Sequence, residues 1–457
     1  MQPVGLVDQD LTGPVVAHVL GPEHDHALVA PCSPAHGEQV ILGWRAGAVR
    51  ASEARAVACR PDHRLPVSLS MPLREERYTG DAVLAAFDNL LPDNDDIRRH
   101  LAERVRADGH DMYSLLGAVG RDCAGALQFL PQGEEPDGAG EVAGVPVDDE
   151  RIAVILKNLG RAPLGADEEG EFRISLAGAQ EKTALLHWDG QWQLPRGVTA
   201  TTHILKPQIG MLRSGIDLTQ SVENEHLCLQ LAAALGLPVA RSEIRDFSGV
   251  RSLVVERFDR LRTRDGRLLR LPHEDCCQAL SVPLARKYES DGGPGIREIL
   301  DLLKASDEPE RDRRTVLKAQ IVFWLLGATD GHAKNFSIRL LPGGRFALAP
   351  LYDSLSAQPH VDAGQIRRRA MKLAMAVGRQ RHYRIDEITP RHFVQTAELC
   401  ALPKGLAQEA LAELAAKAPE ALARAEAALP PGFPEPIATS IVEGVRRRLQ
   451  ALATAPV

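Results

Sequence analysis

The stretch Ala328-Thr329-Asp330-Gly331-His332-Ala333-Lys334-Asn335 decides how the rest of the chain is interpreted. It follows Thr315 to Leu326, an apolar segment with the periodicity of a helix. Two strand-like runs come next, joined at Pro342-Gly343-Gly344 and ending at Leu351-Tyr352-Asp353. An acid and an amide therefore share one loop, and a second acid follows a hairpin.

This order of groups fits phosphoryl transfer. The reaction needs a carboxylate near the incoming hydroxyl, and oxygen ligands that hold Mg²⁺ against the phosphates. Asp330, Asn335 and Asp353 supply these groups in the order that protein kinases use. A simple turn at Asp330 and a helix cap at Asp353 are the ordinary alternative, and the ordered context favours the kinase interpretation.

A loop of small residues lies upstream, from Ser175 to Lys182 (SLAGAQEK), and leads into a strand-like run. Main-chain N–H groups in such a loop can approach phosphate oxygens, although an ordinary turn has the same composition. Glu181 stands where a Walker A motif needs a glycine directly before its lysine, so the sequence argues against a P-loop NTPase.

Lys206 ends a strand-like run from which an ammonium can reach the phosphates, with a solvated lysine as the alternative. The next helix, from about Gln220 to Leu235, carries Glu225 next to apolar residues. A partly buried carboxylate needs a cationic partner. We therefore predict a Lys206–Glu225 ion pair, with Glu223 as a competing partner.

The composition excludes several classes of protein. The chain has 457 residues, of which 44% are hydrophobic and 25% charged, as expected for a folded protein too long for one core. A net charge of -7 argues against a global attraction to nucleic acid or anionic lipid. Scattered cysteines without a CxxC pair, no signal peptide and no long apolar stretch indicate a cytoplasmic protein without membrane contact.

Sequence patterns divide the chain into four parts. Residues 1–130 predict a small α+β subdomain, with a helix capped by Asp93 or Asn94. Residues 131–150 are rich in Gly, Pro and acids and predict an exposed linker. Residues 151–260 predict a strand-rich lobe. Residues 261–457 predict a mainly helical lobe. Its Ala-rich stretch 406–428 predicts a packed surface helix pair and not a coiled coil, because Pro419 breaks a sustained heptad.

Seven segments occur in the order typical of one family, and the chain resembles the HipA family of bacterial serine/threonine-protein kinases. These segments are SLAGAQEKTALL (175–186), THILKP (202–207), SVENEHLCLQLAAALGLPVA (221–240), VVERFDR (254–260), LPHEDCCQALSVP (271–283), ATDGHAKNFSI (328–338) and LAPLYDSLSA (348–357). Two further segments are similar to the N-terminal subdomain of that family: FDNLLPDNDDIRRHLAER (87–104) and GRDCAGALQFLP (120–131).

The resemblance implies a two-lobed, protein-kinase-like α+β fold with an added N-terminal subdomain, and transfer of phosphate from ATP to a protein serine or threonine. Asp330 would be the catalytic base, and Asn335 and Asp353 would hold Mg²⁺. Ser175 would be an autophosphorylation site whose phosphate, roughly -1.5 to -2 in charge, ejects the loop. The implied nucleotide contacts are Ala177, Gly178, Ala179, Gln180, Glu181, Lys182, Lys206, the hinge residues Glu256, Arg257 and Phe258, His332, Lys334, Asn335, Tyr352 and Asp353.

The family usually acts as a toxin on translation components such as aminoacyl-tRNA synthetases. A small helix-turn-helix antitoxin that binds operator DNA restrains it. The resemblance therefore implies two partners, a HipB-like antitoxin and a protein substrate, with DNA contacted only through the antitoxin. The basic runs 367–369 and 379–384 are interpreted as a solvated face in preference to a DNA contact.

Two other functions share these residues and stay open at this stage. A small-molecule phosphotransferase on the same fold would keep Asp330, Asn335 and Asp353. A non-catalytic co-repressor that binds the antitoxin would keep the fold. A metal centre at 273–277 (HEDCC) is disfavoured, because no second ligand set follows at zinc-like spacing; core or helix-start residues are the better interpretation.

Overall fold

A computed structural model supplies the architecture. It describes residues 26–30, 40–45, 48–51, 65–72, 78–129, 140–159, 174–178 and 180–454. Ala179 of the predicted nucleotide loop lies outside these ranges, as do residues 131–139 of the predicted linker. Within the described part, no helix is long and apolar enough to cross a membrane.

The N-terminal part combines an antiparallel sheet with three helices. The sheet has the order β1-β2-β3-β4, with strands β1 (His26–Ala30), β2 (Val40–Arg45), β3 (Ala48–Ala51) and β4 (Tyr78–Thr79). The helices are α1 (Asp81–Asp88), α2 (Asp95–Val105) and α3 (Met112–Val119). Asn94, one of the two predicted caps, accepts hydrogen bonds from the N–H groups of Asp96 and Ile97 and so begins α2.

A six-stranded antiparallel sheet follows, in the order β11-β12-β8-β6-β7-β5. Its strands are β5 (Gly144–Pro146), β6 (Thr183–Trp188), β7 (Gln191–Pro195), β8 (His203–Pro207), β11 (Ser242–Phe247) and β12 (Val250–Glu256). A short ribbon, β9 (Gly210–Met211) and β10 (Asp217–Leu218), and the helices α4 (Asp149–Lys157) and α5 (Ser221–Ala234) accompany the sheet.

One end of the predicted linker belongs to this sheet. Residues 144–146 form its edge strand β5, in which Val145 pairs with Leu194 of β7. The start of α4 also falls within 131–150. A strand of three residues with Gly and Pro at its ends has the composition of a connector, and only pairing with β7 makes it a strand.

A single hydrophobic core joins the N-terminal helices to the six-stranded sheet. Phe87 of α1, Leu101 of α2 and Leu116 of α3 belong to the same buried cluster as Leu185 of β6 and Leu205 of β8. Because this core is continuous, the segment between α1 and α2 has a set position relative to the sheet.

The remainder of the chain is mainly helical. Its helices are α6 (Cys276–Ala279), α7 (Ile296–Leu302), α8 (Pro309–Leu326), α9 (Gln358–Asp362), α10 (Pro390–Leu399), α11 (Leu406–Ala427) and α12 (Glu435–Thr454). Its strands, in three small sheets, are β13 (Arg260–Arg262), β14 (Leu268–Arg270), β15 (His273–Asp275), β16 (Ser337–Leu341), β17 (Arg345–Leu348), β18 (Lys372–Val377) and β19 (His382–Arg384). The central helix is α8, whose second half is buried on every side.

The predicted helix pair in the Ala-rich stretch is wrong. Helix α11 runs without a break from Leu406 to Ala427 and contains Pro419. A proline inside a helix costs about 3 kcal/mol in an isolated peptide. Here Ala418 and Ala421 are buried in the core on either side of it, and that packing outweighs the lost hydrogen bond.

The segment 273–277 forms a strand end and a helix start. Asp275 caps α6 by accepting the N–H of Gln278, 2.9 Å away. Cys276 and Cys277 are buried free thiols. Within the described residues, no group of three or more His, Cys, Asp or Glu side chains is arranged to hold a metal ion.

Candidate active site

Two buried charged side chains and one partly exposed one meet where β8, α5 and the segment after β17 converge. The Lys206 Nζ lies 2.7 Å from Glu225 Oε1 and 2.8 Å from Asp353 Oδ1. The competing acid, Glu223, instead contacts Gln208 and Arg251. Lys206 lies on a strand, Glu225 on a helix, and Asp353 is the second acid of the motif. We call these three residues the cleft cluster.

Neighbouring charges in the cleft cluster oppose the effect of burial, and for Lys206 and Asp353 they outweigh it. Burial raises the pKa of Glu225, and the Lys206 ammonium opposes that shift. Burial likewise opposes ionisation of Asp353, yet Lys206 and Lys182 hold its pKa well below the usual range. Asp353 therefore stays an anion, and its backbone φ of 56° lies in the left-handed region, a sparsely populated conformation typical of functional sites.

The small-residue loop lies over this cluster. Gly178 has a φ of 110°, a backbone conformation that favours glycine, and a Cβ at that position would also displace the Lys182 ammonium. The Gln180 amide donates to the Pro207 carbonyl at 3.1 Å and ties the loop to the end of β8. Ala177 and Gly178 line the cleft, Glu181 is exposed, and Lys182 is buried below the loop.

Ser175 lies at the start of the same loop and is completely buried. Its hydroxyl donates to the Leu90 carbonyl at 2.7 Å, and its backbone N–H donates to the Asp122 carbonyl. The candidate modification site therefore faces the N-terminal subdomain and not solvent.

The loop after α8 carries the remaining motif residues. Gly327, with a φ of 69°, ends the helix, and the side-chain amide of Asn335 donates to the Asp330 carbonyl at 2.6 Å. The Asp330 carboxylate is 53% exposed at the mouth of the cleft, and His332 Nε2 lies 3.7 Å from its Oδ1. A half-exposed carboxylate at the mouth can be reached by an incoming hydroxyl.

The oxygen donors of the cleft fit Mg²⁺. This ion binds proteins through one or two oxygen ligands and completes its shell with water and substrate phosphates. Asn335 and Asp353 provide an amide and a carboxylate on the wall of one cleft. One oxygen of Asp353 contacts Lys206, which leaves the other for a cation.

Comparison with known proteins decides the family. Residues 174–422 match the model of the HipA-like C-terminal domain, and residues 42–130 match the HipA N-terminal domain. The chain belongs to the HipA family of kinases. The protein Y4mE of Sinorhizobium fredii is 40% identical over 323 residues, which are 70% of this chain and 73% of that protein.

Two further likenesses agree with this assignment. The serine/threonine-protein kinase toxin HipA of Shewanella oneidensis is 29% identical over 384 residues, which are 80% of this chain and 82% of that protein. A chain in the solved Shewanella oneidensis complex of HipA, HipB and operator DNA superposes with a TM-score of 0.72 and 24% identity, over 94% of this chain and 98% of that chain. The kinase-like α+β fold is thus shared.

In this HipA-family kinase the residues predicted to form the hinge divide into two groups. Arg257 directs its side chain to Asp259, Thr201 and the Cys123 carbonyl. Phe258 stacks on Tyr352, with ring centroids 5.8 Å apart, and both rings line the cleft with Glu256. The nucleotide contact predicted for Arg257 is therefore one that its backbone, and not its side chain, can make.

Two other predicted contact residues are held by neighbours. The Lys334 ammonium donates to the carbonyl and side-chain oxygens of Asn89, at 2.6 and 2.9 Å. The His332 ring is buried, which lowers its pKa, and its Nδ1 has no hydrogen-bond partner among the described residues. His332 thus keeps an unused polar atom in the cleft.

The sequence did not single out four residues of the site. Asn89 and Asp93 belong to the N-terminal subdomain, and Asp93 accepts from the Gly178 N–H at 3.2 Å and from Lys287 at 2.6 Å. Tyr288 donates its hydroxyl to Asp330 Oδ1 at 2.5 Å. Asn89 and Asp93 lie in the segment FDNLLPDN, whose likeness to the family was the only sequence signal for a role in the site. Lys287-Tyr288 lies outside all the family-like segments.

Proposed function

We propose that this kinase transfers the γ-phosphoryl group of ATP to a serine or threonine hydroxyl of a protein, with Mg²⁺ as cofactor. The single observation that carries the proposal is the contact of Lys206 with both Glu225 and Asp353, in the same cleft as Asp330 and Asn335. Phosphoryl transfer depends mainly on positioning and charge stabilisation, which these groups supply together.

Each group has a role in the proposed reaction. Asp330 accepts the proton of the acceptor hydroxyl, whose oxygen bonds to the γ-phosphorus as ADP leaves. Lys206 and Lys182 bind phosphate oxygens, while Asn335 and Asp353 hold Mg²⁺, which neutralises phosphate charge when bound. The backbone at Glu256 to Phe258 contacts adenine.

We further propose that the chain is the toxin of a HipBA-like toxin–antitoxin system. Support comes from its likeness to the HipA toxin of Shewanella oneidensis, whose solved complex contains HipB and operator DNA. The expected partners are a HipB-like helix-turn-helix antitoxin and a protein substrate among the translation components, such as an aminoacyl-tRNA synthetase. DNA is contacted through the antitoxin.

Ser175 is the proposed autophosphorylation site. Its hydroxyl is buried and bound to the Leu90 carbonyl, so the position has no room for a phosphate of roughly -1.5 to -2 charge. Modification would require the nucleotide loop to leave its place beside Pro92 and Asp93, and the enzyme would lose its phosphate contacts.

Incubation with γ-labelled ATP, Mg²⁺ and a cell extract tests the proposal. The wild type should label itself and an extract protein, Asp330→Ala should label neither, and Ser175→Ala should lose only the self-label. Circular dichroism should show all three proteins folded. Nucleotide binding by a folded wild type without any transfer would contradict the kinase proposal and favour a non-catalytic co-repressor.

A further inference from the structure

Tyr288 stands at the mouth of the cleft, directly on the proposed catalytic base. Its hydroxyl donates to Asp330 Oδ1 over 2.5 Å. A general base must lie within hydrogen-bond reach of the proton that it abstracts, about 2.6–3.2 Å between heavy atoms. The tyrosine hydroxyl therefore has the relation to Asp330 that an acceptor hydroxyl needs.

The chain on either side of Tyr288 holds it there. Lys287 binds Asp93 of the N-terminal subdomain, with Nζ 2.6 Å from Oδ2. On the other side, Glu289 accepts the Ala376 N–H of β18 at 2.5 Å and contacts Arg381 at 3.1 Å. Residues 287–289 thus form a strap across the mouth of the cleft, tied at one end to the N-terminal subdomain and at the other to the helical lobe.

The ring of Tyr288 is also held in place by packing. It packs edge-on against His332, with ring centroids 4.8 Å apart. Burial and the neighbouring Asp330 carboxylate raise the pKa of Tyr288, so the phenol keeps its proton and remains a hydrogen-bond donor. The contact with Asp330 therefore persists over the physiological pH range.

A role in merely orienting Asp330 explains the contact less well. Asn335 already fixes the backbone of Asp330 by donating to its carbonyl. A hydrogen bond donated to a carboxylate stabilises its charged form and opposes the uptake of a proton. An orienting tyrosine would thus work against the step that Asp330 is proposed to perform.

We propose that Tyr288 is a gate that occupies the place of the acceptor hydroxyl, so that a protein acceptor must displace the tyrosine before transfer. This inference rests on the proposed function and concerns how access to the same catalytic site is regulated. Water and small hydroxyl compounds, which lack the contacts needed to shift the strap, compete poorly with Tyr288. The gate would therefore suppress wasteful ATP hydrolysis and select for protein acceptors.

The test compares wild type with Tyr288→Phe, which keeps the ring and its packing on His332 but removes the hydroxyl. With Mg²⁺ and ATP, ADP release without acceptor should rise roughly tenfold, the factor expected when one charge-assisted hydrogen bond no longer competes. With dephosphorylated casein as the acceptor, KM for casein should fall by a similar factor, while kcat and KM for ATP stay unchanged.

Tyr78→Phe is the matched control. Its hydroxyl donates to the Pro72 carbonyl, and neither residue lines the cleft, so ADP release should match wild type. An unchanged or lower kcat/KM for casein in Tyr288→Phe, with an active wild type, would overturn the gate and leave the kinase proposal intact. ATP binding without turnover by both proteins would overturn the proposed function itself, and the gate with it.

Discussion

This molecule contains two clusters of charged side chains, and they differ in their surroundings: one faces an open cleft, and the other is enclosed by protein. The cleft cluster consists of Lys206, Glu225 and Asp353. The second, which we call the hinge cluster, consists of Asp122, Arg257, Asp259 and Arg260, all at most 4% exposed. Through the contacts of Asp122, the hinge cluster joins the N-terminal subdomain to β13 and to the segment after β12.

The charges of the hinge cluster are satisfied within the protein. Arg257 and Arg260 each bind Asp259 and also donate to backbone carbonyls, among them that of Cys123. Burial opposes the charge on Asp122, but Arg260 and Arg257 bring its pKa down to about 2. In the cleft cluster, by contrast, Asp353 is 27% exposed and presents an oxygen to the cleft. Burial of charge alone therefore does not mark a functional site; a charged group that is partly exposed to a cleft is the better indicator.

Of the substitutions that test this difference between the clusters, Asp353→Asn should have the largest effect, and the effect is on phosphoryl transfer. Transfer should fall by about a thousandfold or more, because the substitution removes a charge that acts on the reacting phosphates. Stability should fall by less than after a change in the hinge cluster, since Asp353 is partly exposed, Lys206 keeps Glu225 as a partner, and Asn accepts a left-handed backbone as readily as Asp. Label transfer from γ-labelled ATP and thermal melting measure the two quantities.

A matched control is Asp189→Asn, because Asp189 also has a positive φ, of 49°, but is exposed in the turn between β6 and β7. It should keep full activity. Comparable activity in Asp353→Asn and Asp189→Asn would mean that Asp353 contributes no more to phosphoryl transfer than an aspartate in an ordinary turn.

Asp259→Asn should break the hinge cluster. It leaves two buried guanidinium groups with one carboxylate fewer, and the free energy of unfolding should fall by about 3–5 kcal/mol. Urea denaturation measures this loss. Asp265→Asn, which removes an exposed partner of Arg267, should leave the urea midpoint where it is in wild type. A hinge variant as stable as wild type would show that the cluster is not structural.

The smallest expected effect is on the pH dependence of stability, and it concerns a buried acid that no cation contacts. Glu274 of β15 accepts the Leu69 N–H at 2.8 Å, its other oxygen has no partner among the described residues, and burial raises its pKa to about 8. The folded state therefore binds more protons than the unfolded state between about pH 4.5 and pH 8. Stability contributed by the protonated form is present below that window and is lost as pH rises through it.

Glu274→Gln should remove this pH dependence. In wild type the free energy of unfolding should fall by about 1 kcal/mol from pH 6 to pH 7, within the limit of about 1.4 kcal/mol per pH unit for one proton. Urea denaturation at the two pH values compares the slopes. Equal slopes in the two proteins would mean that Glu274 stays ionised in the folded state.

The sequence by itself determined the parts of this protein that depend on short-range patterns. Alternation and helical periodicity predicted β6, β8, β12, α5 and α8, because an apolar face must be buried whatever the partner is. The loop from Asp330 to Asn335 and the acid at Asp353 follow from fixed spacing along the chain. The Lys206–Glu225 contact followed from one argument, that a buried carboxylate needs a cation.

Only the tertiary structure decided which distant segments complete the site. Asn89 and Asp93 reach Lys334 and Lys287 across about two hundred residues of chain, and no local pattern records such a contact. The same holds for Tyr288 on Asp330, for Arg257 turned into the hinge cluster, and for α11, which stays whole despite its proline. In each case the outcome depends on burial against residues far away in sequence, and that free energy is set by the folded neighbourhood and not by the residue itself.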